Sequence, residues 1–155
     1  MEECFQGAFV FLYKKKDILI LSFSRSSEGI ASGHGKFEKL MTHSSSTDIG
    51  AALRRRIEDR KDGHHVPHMW KERDAYLAHR KSYEEDRGGM SENQFRKHSS
   101  SFHVNLREDG IQFEVYEGIS AKWVPLLTLP LDASDEELGN AVKNTCEHIV
   151  TVLSK

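Results

Sequence analysis

Cysteine is scarce in this 155-residue sequence, and long apolar runs are missing. Cys4 and Cys146 are the two cysteines, and the reducing cytosol keeps such a pair as free thiols. The longest apolar runs, such as residues 8–13, are far shorter than the ~20 residues that a membrane helix needs. The first residues are acidic and lack the basic and apolar segments of a secretory signal. We therefore expect a cytoplasmic protein with no membrane span and no disulfide.

An excess of charge of one sign is also missing. The sequence has 22 Lys and Arg against 24 Asp and Glu, which gives 22 − 24 = −2 at pH 7. This balance argues against a chain that binds nucleic acid with its whole surface. Apolar residues make up 37% and charged residues 30% of the sequence, which is typical of a folded domain rather than a disordered chain. The length fits a single domain, residues 1–155.

Apolar and alternating segments predict two hairpins. In the first, two apolar runs flank Lys14, Lys15 and Lys16; in the second, two alternating runs flank the turn-forming pair Asp109 and Gly110. The first run is apolar at consecutive positions, which predicts a central strand covered on both faces. Two further segments are expected to form strands or extended connections. The segments are residues 7–13, 18–23, 36–42, 102–106, 111–116 and 123–129.

Two predicted helix starts have the same order of residues. After an apolar approach and a Ser/Thr/Asp cap, Ile49-Gly50 begins the first helix and Leu138-Gly139 begins the second, 138 − 49 = 89 residues later. Glycine inside a helix costs roughly 0.5–1 kcal/mol relative to alanine. A repeated glycine therefore needs a reason, and we expect it to let each helix approach the sheet closely.

The sequence thus predicts an α+β fold with an antiparallel or mixed sheet and helices packed on it. Two strand-strand-helix units, about residues 5–62 and 99–155, are related by duplication. A polar helical insertion of about residues 63–98 separates them.

The repeated pattern resembles the CdiI immunity proteins of bacterial contact-dependent growth inhibition systems. The residues that carry the resemblance are Thr47, Asp48, Ile49, Gly50, Ala52 and Leu53, then Ser134, Asp135, Leu138, Gly139, Ala141 and Val142. The resemblance covers about residues 37–60 and 101–150. It implies a protein that is not an enzyme and uses no cofactor. Such a protein binds, one to one, the C-terminal toxin domain of a cognate CdiA-type protein, which we expect to be a nuclease that cleaves tRNA.

The insertion is the predicted partner surface. An amphipathic helix is expected over residues 69–87. Nuclease toxins have positively charged clefts, so an inhibitor gains from acidic groups around aromatic anchors. A solvated helix face is the other interpretation of the same residues. The predicted toxin-binding residues are Trp70, Glu72, Asp74, Tyr76, Tyr83, Glu84, Glu85 and Asp86 in the insertion, with Glu108 and Asp109 at the tip of the second hairpin.

A small RNA-binding module is one alternative function. The basic runs Lys14-Lys15-Lys16 and Arg54-Arg55-Arg56, together with the aromatic residues of the insertion, could line an RNA groove. The competing interpretation is that the lysines keep a hairpin soluble and that the arginines pair with nearby carboxylates.

A histidine-liganded metal hydrolase is the less favoured alternative. His64, His65 and His68, with His79 further along, could supply imidazole ligands, but no cysteine or carboxylate pair completes a zinc set. A solvated loop is the competing interpretation. The serine clusters are typical of helix caps and loops rather than of activated nucleophiles, and no phosphate-binding loop is present. We therefore predict no catalytic residue, no metal and no cofactor.

Overall fold

A computed structural model describes residues 6–151 of the chain, so Cys4 lies outside the described residues. Within them, six strands form one sheet in the order β3-β2-β1-β4-β5-β6, and every neighbouring pair is antiparallel. The strands are β1 (Gln6–Tyr13), β2 (Asp17–Arg25), β3 (Ala31–Met41), β4 (Ser99–Arg107), β5 (Gly110–Glu117) and β6 (Lys122–Leu129). The helices are α1 (Ser46–Glu58), α2 (Arg73–Asp86), α3 (Glu92–His98) and α4 (Asp135–Thr151).

This architecture confirms the predicted α+β class and makes the sheet antiparallel throughout. The two segments expected to be strands or extended connections belong to β3 and β6. Each half of the chain therefore contributes three strands and one long helix, with β1 and β4 paired at the centre of the sheet. None of the helices in the described residues is both long and apolar enough to cross a membrane.

The main core lies between one face of the sheet and the pair α1 and α4. Alternate residues of the central strands point to this face, including Val10 and Leu12 of β1 and Phe102 and Val104 of β4. Leu53 of α1 is fully buried among them. The residues at intervening positions of β1 face the other side of the sheet, where the insertion packs. The prediction of a central strand apolar on both faces is therefore confirmed.

The two repeated glycines lie where α1 and α4 meet. A Cβ added to Gly50 would lie 1.6 Å from the carbonyl oxygen of Asp135, and one added to Gly139 would lie 1.7 Å from that of Ser46. Ser46 and Asp135 are the first residues of the two helices. The expectation that the glycines approach the sheet is wrong. They face the partner helix, because only a residue without a side chain allows two helix backbones to touch.

Polar contacts strengthen the same helix contact. Ser46 Oγ donates a hydrogen bond to Asn140 Oδ1 over 2.5 Å. Arg54 Nε donates to Asp135 Oδ1 over 2.9 Å, and another guanidinium nitrogen of Arg54 donates to the carbonyl oxygen of Ala133. Arg54 of α1 thus binds the start of α4, and Asn140 of α4 binds the start of α1.

Replacing Gly50 or Gly139 with alanine should destabilise the fold. The added methyl group would overlap a main-chain oxygen that belongs to a packed helix, so the helices must separate, at a cost of about 1–3 kcal/mol or more. Urea unfolding measures the loss. Gly118→Ala is the matched control, because a Cβ there meets nothing within 4 Å. Equal stability of the Gly50, Gly139 and Gly118 variants would show that the helix contact is not sterically limited.

Candidate functional site

The insertion covers part of the sheet face opposite α1 and α4. Phe95 of α3 is buried, with its ring centroid 5.0 Å from that of Phe11 and 6.2 Å from that of Tyr13. Phe37 of β3 lies 6.1 Å from Phe95 and 5.5 Å from Tyr83 of α2. The insertion is thus attached by a small aromatic cluster.

Helix α2 is a surface helix that buries none of its residues completely. Its main attachment is Tyr83, whose burial raises the pKa of the phenol to about 12 and whose hydroxyl has no hydrogen-bond partner within residues 6–151. Tyr83, one of the predicted contact residues, therefore faces inward and anchors the helix. Tyr76 is half-buried, whereas Asp74 is exposed.

The segment before α2 is a hydrogen-bonded turn rather than part of the helix. The carboxylate of Glu72 contacts His65 Nε2 at 2.6 Å and accepts from the main-chain nitrogen of His68 at 3.1 Å. These two bonds lower the pKa of Glu72. Trp70 lies in this turn and is 73% exposed, with the guanidinium carbon of Arg73 5.5 Å from the centre of its ring. The predicted helix start at residue 69 is therefore wrong, and Trp70 is displayed by a turn.

The C-terminal turn of α2 is acidic. Glu84, Glu85 and Asp86 occupy it, and it contains no basic residue. The C-terminus of a helix has partial negative charge, so carboxylates there are unfavourable by typically 0.3–1 kcal/mol each. Arg87, directly after them, lies 4.9 Å from the ring centroid of Phe95 and is 8% exposed. Arg87 attracts Glu84 and Asp86 electrostatically. Glu85 is exposed and Glu84 is half-buried, whereas Oδ2 of Asp86 is buried without a hydrogen-bond partner among the described residues. We call Glu84, Glu85 and Asp86 the acidic end of α2.

Glu108 and Asp109 form the exposed two-residue turn between β4 and β5. This turn lies at the end of the sheet where β1 begins, because Gly7 pairs with Asn105. The acidic end of α2 lies near the other end of β1, beside Phe95 and its neighbour Tyr13. Six residues of strand separate Gly7 from Tyr13, which corresponds to about 20 Å. The structure therefore does not bring the hairpin tip next to the acidic end of α2.

Sequence reasoning missed a row of five ring side chains in contact on the sheet face that carries the insertion. Phe9 lies 4.8 Å from Phe23 and 5.0 Å from His103, measured between ring centroids. His103 stacks on Trp123 at 3.8 Å, and Trp123 meets Tyr116 at 5.5 Å. We call Phe23, Phe9, His103, Trp123 and Tyr116 the aromatic row. Its signal in the sequence was the aromatic residues at alternate positions of the two predicted hairpins.

The aromatic row is closed at one end and open at the other. Phe23 is 2% exposed, whereas Tyr116 is 44% exposed. Burial of the imidazole lowers the pKa of His103 to about 4, although Glu114 Oε1 lies 3.7 Å from its Nδ1. His103 is therefore neutral at pH 7 and acts there as a flat, stacked ring.

The insertion histidines have partners within their own loop. His64 Nδ1 contacts the carbonyl oxygen of Lys61 at 2.9 Å, and His65 binds Glu72. His68 Nδ1 accepts from the main-chain nitrogens of Trp70 and Lys71. The described residues contain no group of three His, Cys, Asp or Glu side chains placed to hold a metal ion.

A buried serine and histidine form the contact that most resembles a catalytic pair. Ser24 Oγ lies 2.7 Å from His34 Nε2, and it also accepts from the main-chain nitrogen of Lys61 at 3.0 Å. Ser24 is fully buried and His34 is 5% exposed, so a substrate has no access to the hydroxyl. Burial lowers the pKa of His34. The pair links β2, β3 and the loop after α1 and has a structural role.

The two basic runs differ in their environment. Arg54 pairs with Asp135, while Arg55 and Arg56 both pair with Glu38 at 2.6 and 3.1 Å. Carboxylates of the protein itself thus neutralise the charges of the arginine run, as the competing interpretation of that run predicted. The lysines of the first hairpin, residues 14–16, form no ion pair with any described residue.

No protein family and no curated protein matches this chain. Solved structures with a similar fold include a protein of unknown function from Neisseria meningitidis, with a TM-score of 0.61 and 16% identity over 89% of this chain and 91% of that one. They also include a chain of the CdiA-CT/CdiI toxin and immunity complex from Yersinia pseudotuberculosis, with a TM-score of 0.58 and 16% identity over 88% of this chain and 92% of that one. At this identity the similarity establishes a shared fold.

Acidification should destabilise the protein through His103. An unfolded histidine has a pKa of about 6.5, and that of His103 in the folded protein is about 4. Between these values the unfolded state binds more protons, so stability falls as the pH drops from about 6.5 towards 4. We expect His103 to contribute about 2 kcal/mol of the loss between pH 7 and pH 4.5.

Urea unfolding of the wild type and His103→Gln at both pH values measures this contribution. His34 and His79, whose pKa values burial also lowers, remain in both proteins, so the difference between the two losses isolates His103. An equal loss in the two proteins would contradict the assignment.

Proposed function

We propose that this chain is an immunity protein of a contact-dependent growth inhibition system. It binds the C-terminal toxin domain of a cognate CdiA-type protein in a one-to-one complex and so neutralises it. The observation that carries the proposal is the shared fold with a chain of the CdiA-CT/CdiI complex, which extends over 88% of this chain and 92% of that one. The repeated Ile-Gly and Leu-Gly helix starts, which carry the sequence resemblance to this family, form the contact between α1 and α4 in this chain.

The acidic end of α2 is an argument for a positively charged partner. Glu84, Glu85 and Asp86 lie at the helix end where negative charge is unfavourable. Arg87 attracts Glu84 and Asp86, whereas the exposed Glu85 forms no ion pair with a described residue. An enzyme that cleaves nucleic acid needs a cationic cleft, because phosphate contacts dominate its affinity. Carboxylates facing such a cleft accelerate association and fix the orientation of the complex. This supports a nuclease as the toxin, and the resemblance to the CdiI family is the reason for proposing that it cleaves tRNA.

Trp70 supplies the aromatic element of the proposed surface. A tryptophan that is 73% exposed on a rigid hydrogen-bonded turn is a suitable anchor for a protein partner. A standard interface buries about 1,200–2,000 Å² in total, which is more than the insertion helix alone offers. We therefore propose that the contact surface includes the turn before α2, the exposed face of α2 and the β4–β5 tip with Glu108 and Asp109.

Co-expression with the polypeptide encoded immediately upstream tests the proposal. We expect the two chains to purify as a one-to-one complex and cells that produce both to grow, whereas cells that produce the upstream C-terminal domain alone stop growing. A toxin domain from a non-cognate system is the specificity control. Failure of this chain both to bind the upstream domain and to protect the cells would refute the immunity function.

Removing charge from the acidic end of α2 should slow toxin binding without lowering the stability of the protein. In the double variant Glu84→Gln, Glu85→Gln, we expect unchanged or slightly higher stability, because two carboxylates leave a helix C-terminus. Association with the toxin should be slower and less sensitive to salt. Stopped-flow association at low and high ionic strength, together with urea unfolding, measures both effects.

Glu136→Gln is the matched control for this experiment. Glu136 is also exposed but lies in the first turn of α4, where a carboxylate stabilises the helix. The control variant should be less stable by about 0.3–1 kcal/mol and should bind the toxin at the wild-type rate. If the double variant also binds at that rate with unchanged salt dependence, the acidic end of α2 does not face the partner.

A further inference from the structure

Two adjoining cavities lie at the end of the sheet where β1 turns into β2. The first, the apolar cavity, has a volume of about 290 Å³ and is lined mainly by Leu12, Ile18, Cys146 and Val150. The second, the cationic groove, has a volume of about 330 Å³ and is lined by Lys14, Lys15, Lys97, His98, Ser99 and Ser100, together with Leu12. Leu12 and Lys15 line both, so the two cavities are neighbours that share these side chains.

The apolar cavity has a closed floor. Leu12, Ile18 and Cys146 are 3%, 0% and 5% exposed, so these side chains are packed into the protein behind the cavity. Burial also raises the pKa of the Cys146 thiol to about 12, which keeps it neutral. An apolar group that entered would displace water from a surface formed by aliphatic side chains and a neutral thiol.

The cationic groove has positive charges that form no ion pair with any residue the structure describes. No described carboxylate lies within 4.0 Å of the ammonium groups of Lys14, Lys15 or Lys97, although the nearby cations Lys39 and Arg96 are paired with Asp17 and Glu92. Lys143 adds another ammonium at the rim of the apolar cavity, and no ion pair joins it to a residue of the described chain. Glu147 is the one carboxylate among the residues that line this cavity.

The turn that carries two of the groove lysines is a tight hairpin turn, closed by a hydrogen bond from the main-chain nitrogen of Lys16 to the carbonyl oxygen of Tyr13. Such a turn requires positive φ angles at its two central residues, and Lys14 and Lys15 have φ angles of 51° and 58°. This conformation costs an ordinary side chain roughly 1–2 kcal/mol, which asparagine or glycine would relieve.

We infer that the apolar cavity and the cationic groove form one binding site for a small amphiphilic anion. The alkyl chain of the ligand occupies the apolar cavity against Leu12 and Val150, and its anionic head group lies in the groove beside Lys15. Neither the apolar floor nor the lysines alone specify this ligand class. The combination does, because the shared lining residues Leu12 and Lys15 place an apolar subsite and a cationic subsite within reach of one molecule. This site does not depend on the proposed toxin binding.

Titration with straight-chain carboxylates tests the site. Isothermal calorimetry with acetate, butanoate, hexanoate and octanoate should show affinity rising about fourfold for each methylene that enters the cavity. Neutral 1-octanol should bind at least tenfold more weakly than octanoate, because it lacks the charge that the lysines contact. Equal affinity for acetate and octanoate, or for octanol and octanoate, would overturn the proposal.

Variants in the β1–β2 turn and in α4 test where the ligand binds. Lys15→Gln should weaken octanoate binding about tenfold and leave octanol binding unchanged. Lys16→Gln is the matched control, since Lys16 lies in the same turn but lines neither cavity, and it should bind octanoate as the wild type does. Val150→Phe should weaken both ligands by filling the cavity, and circular dichroism verifies that each variant is folded. Equal octanoate affinity of the Lys15 and Lys16 variants would refute the assignment.

Discussion

Direct contact between two helix backbones at Gly50 and Gly139 determines how the rest of the chain is arranged. Each glycine receives the main-chain oxygen of the other helix's first residue, so α1 and α4 lie side by side on one face of the sheet. Their apolar sides can then cover the four central strands together, including Val10 and Val104. A side chain at either glycine would hold the helices apart and leave a gap above the β1–β4 pair.

Because both long helices occupy one face, the other face is left for the insertion. Its attachment is small: Phe95 and Tyr83 pack on Phe11, Tyr13 and Phe37, and α2 buries no residue fully. A segment held by few contacts can vary in sequence without disturbing the helix contact on the opposite face. This division separates the residues that maintain the fold from those available to a partner.

The sequence predicted the elements whose causes are local and missed those whose causes lie between elements. The hairpins, the hydroxyl caps at the starts of α1 and α4, and the fold class follow from side-chain alternation and from hydroxyls that accept main-chain N–H groups. The reason for the two glycines required knowledge of what each helix touches. The position of Trp70 was also mispredicted, because Glu72 bonds to His65 and His68 and so delays the start of α2. The sequence identified the candidate contact residues by their acidic and aromatic side chains. The distance between the β4–β5 tip and the acidic end of α2 follows from the pairing of β1 with β4, which the sequence does not show.

Charged runs that look alike in the sequence differ in how the protein uses them. Arg54, Arg55 and Arg56 are bound to Asp135 and Glu38 and serve the fold, whereas Lys15 has no such partner in the described chain. The acidic groups show the same contrast. Carboxylates in the first turn of α4 stabilise that helix, whereas those in the last turn of α2 oppose its dipole. Within the acidic end of α2, Arg87 attracts Glu84 and Asp86, but the exposed Glu85 is paired with no described residue. For this reason the acidic end of α2, rather than the total charge of −2, supports a role in binding another molecule.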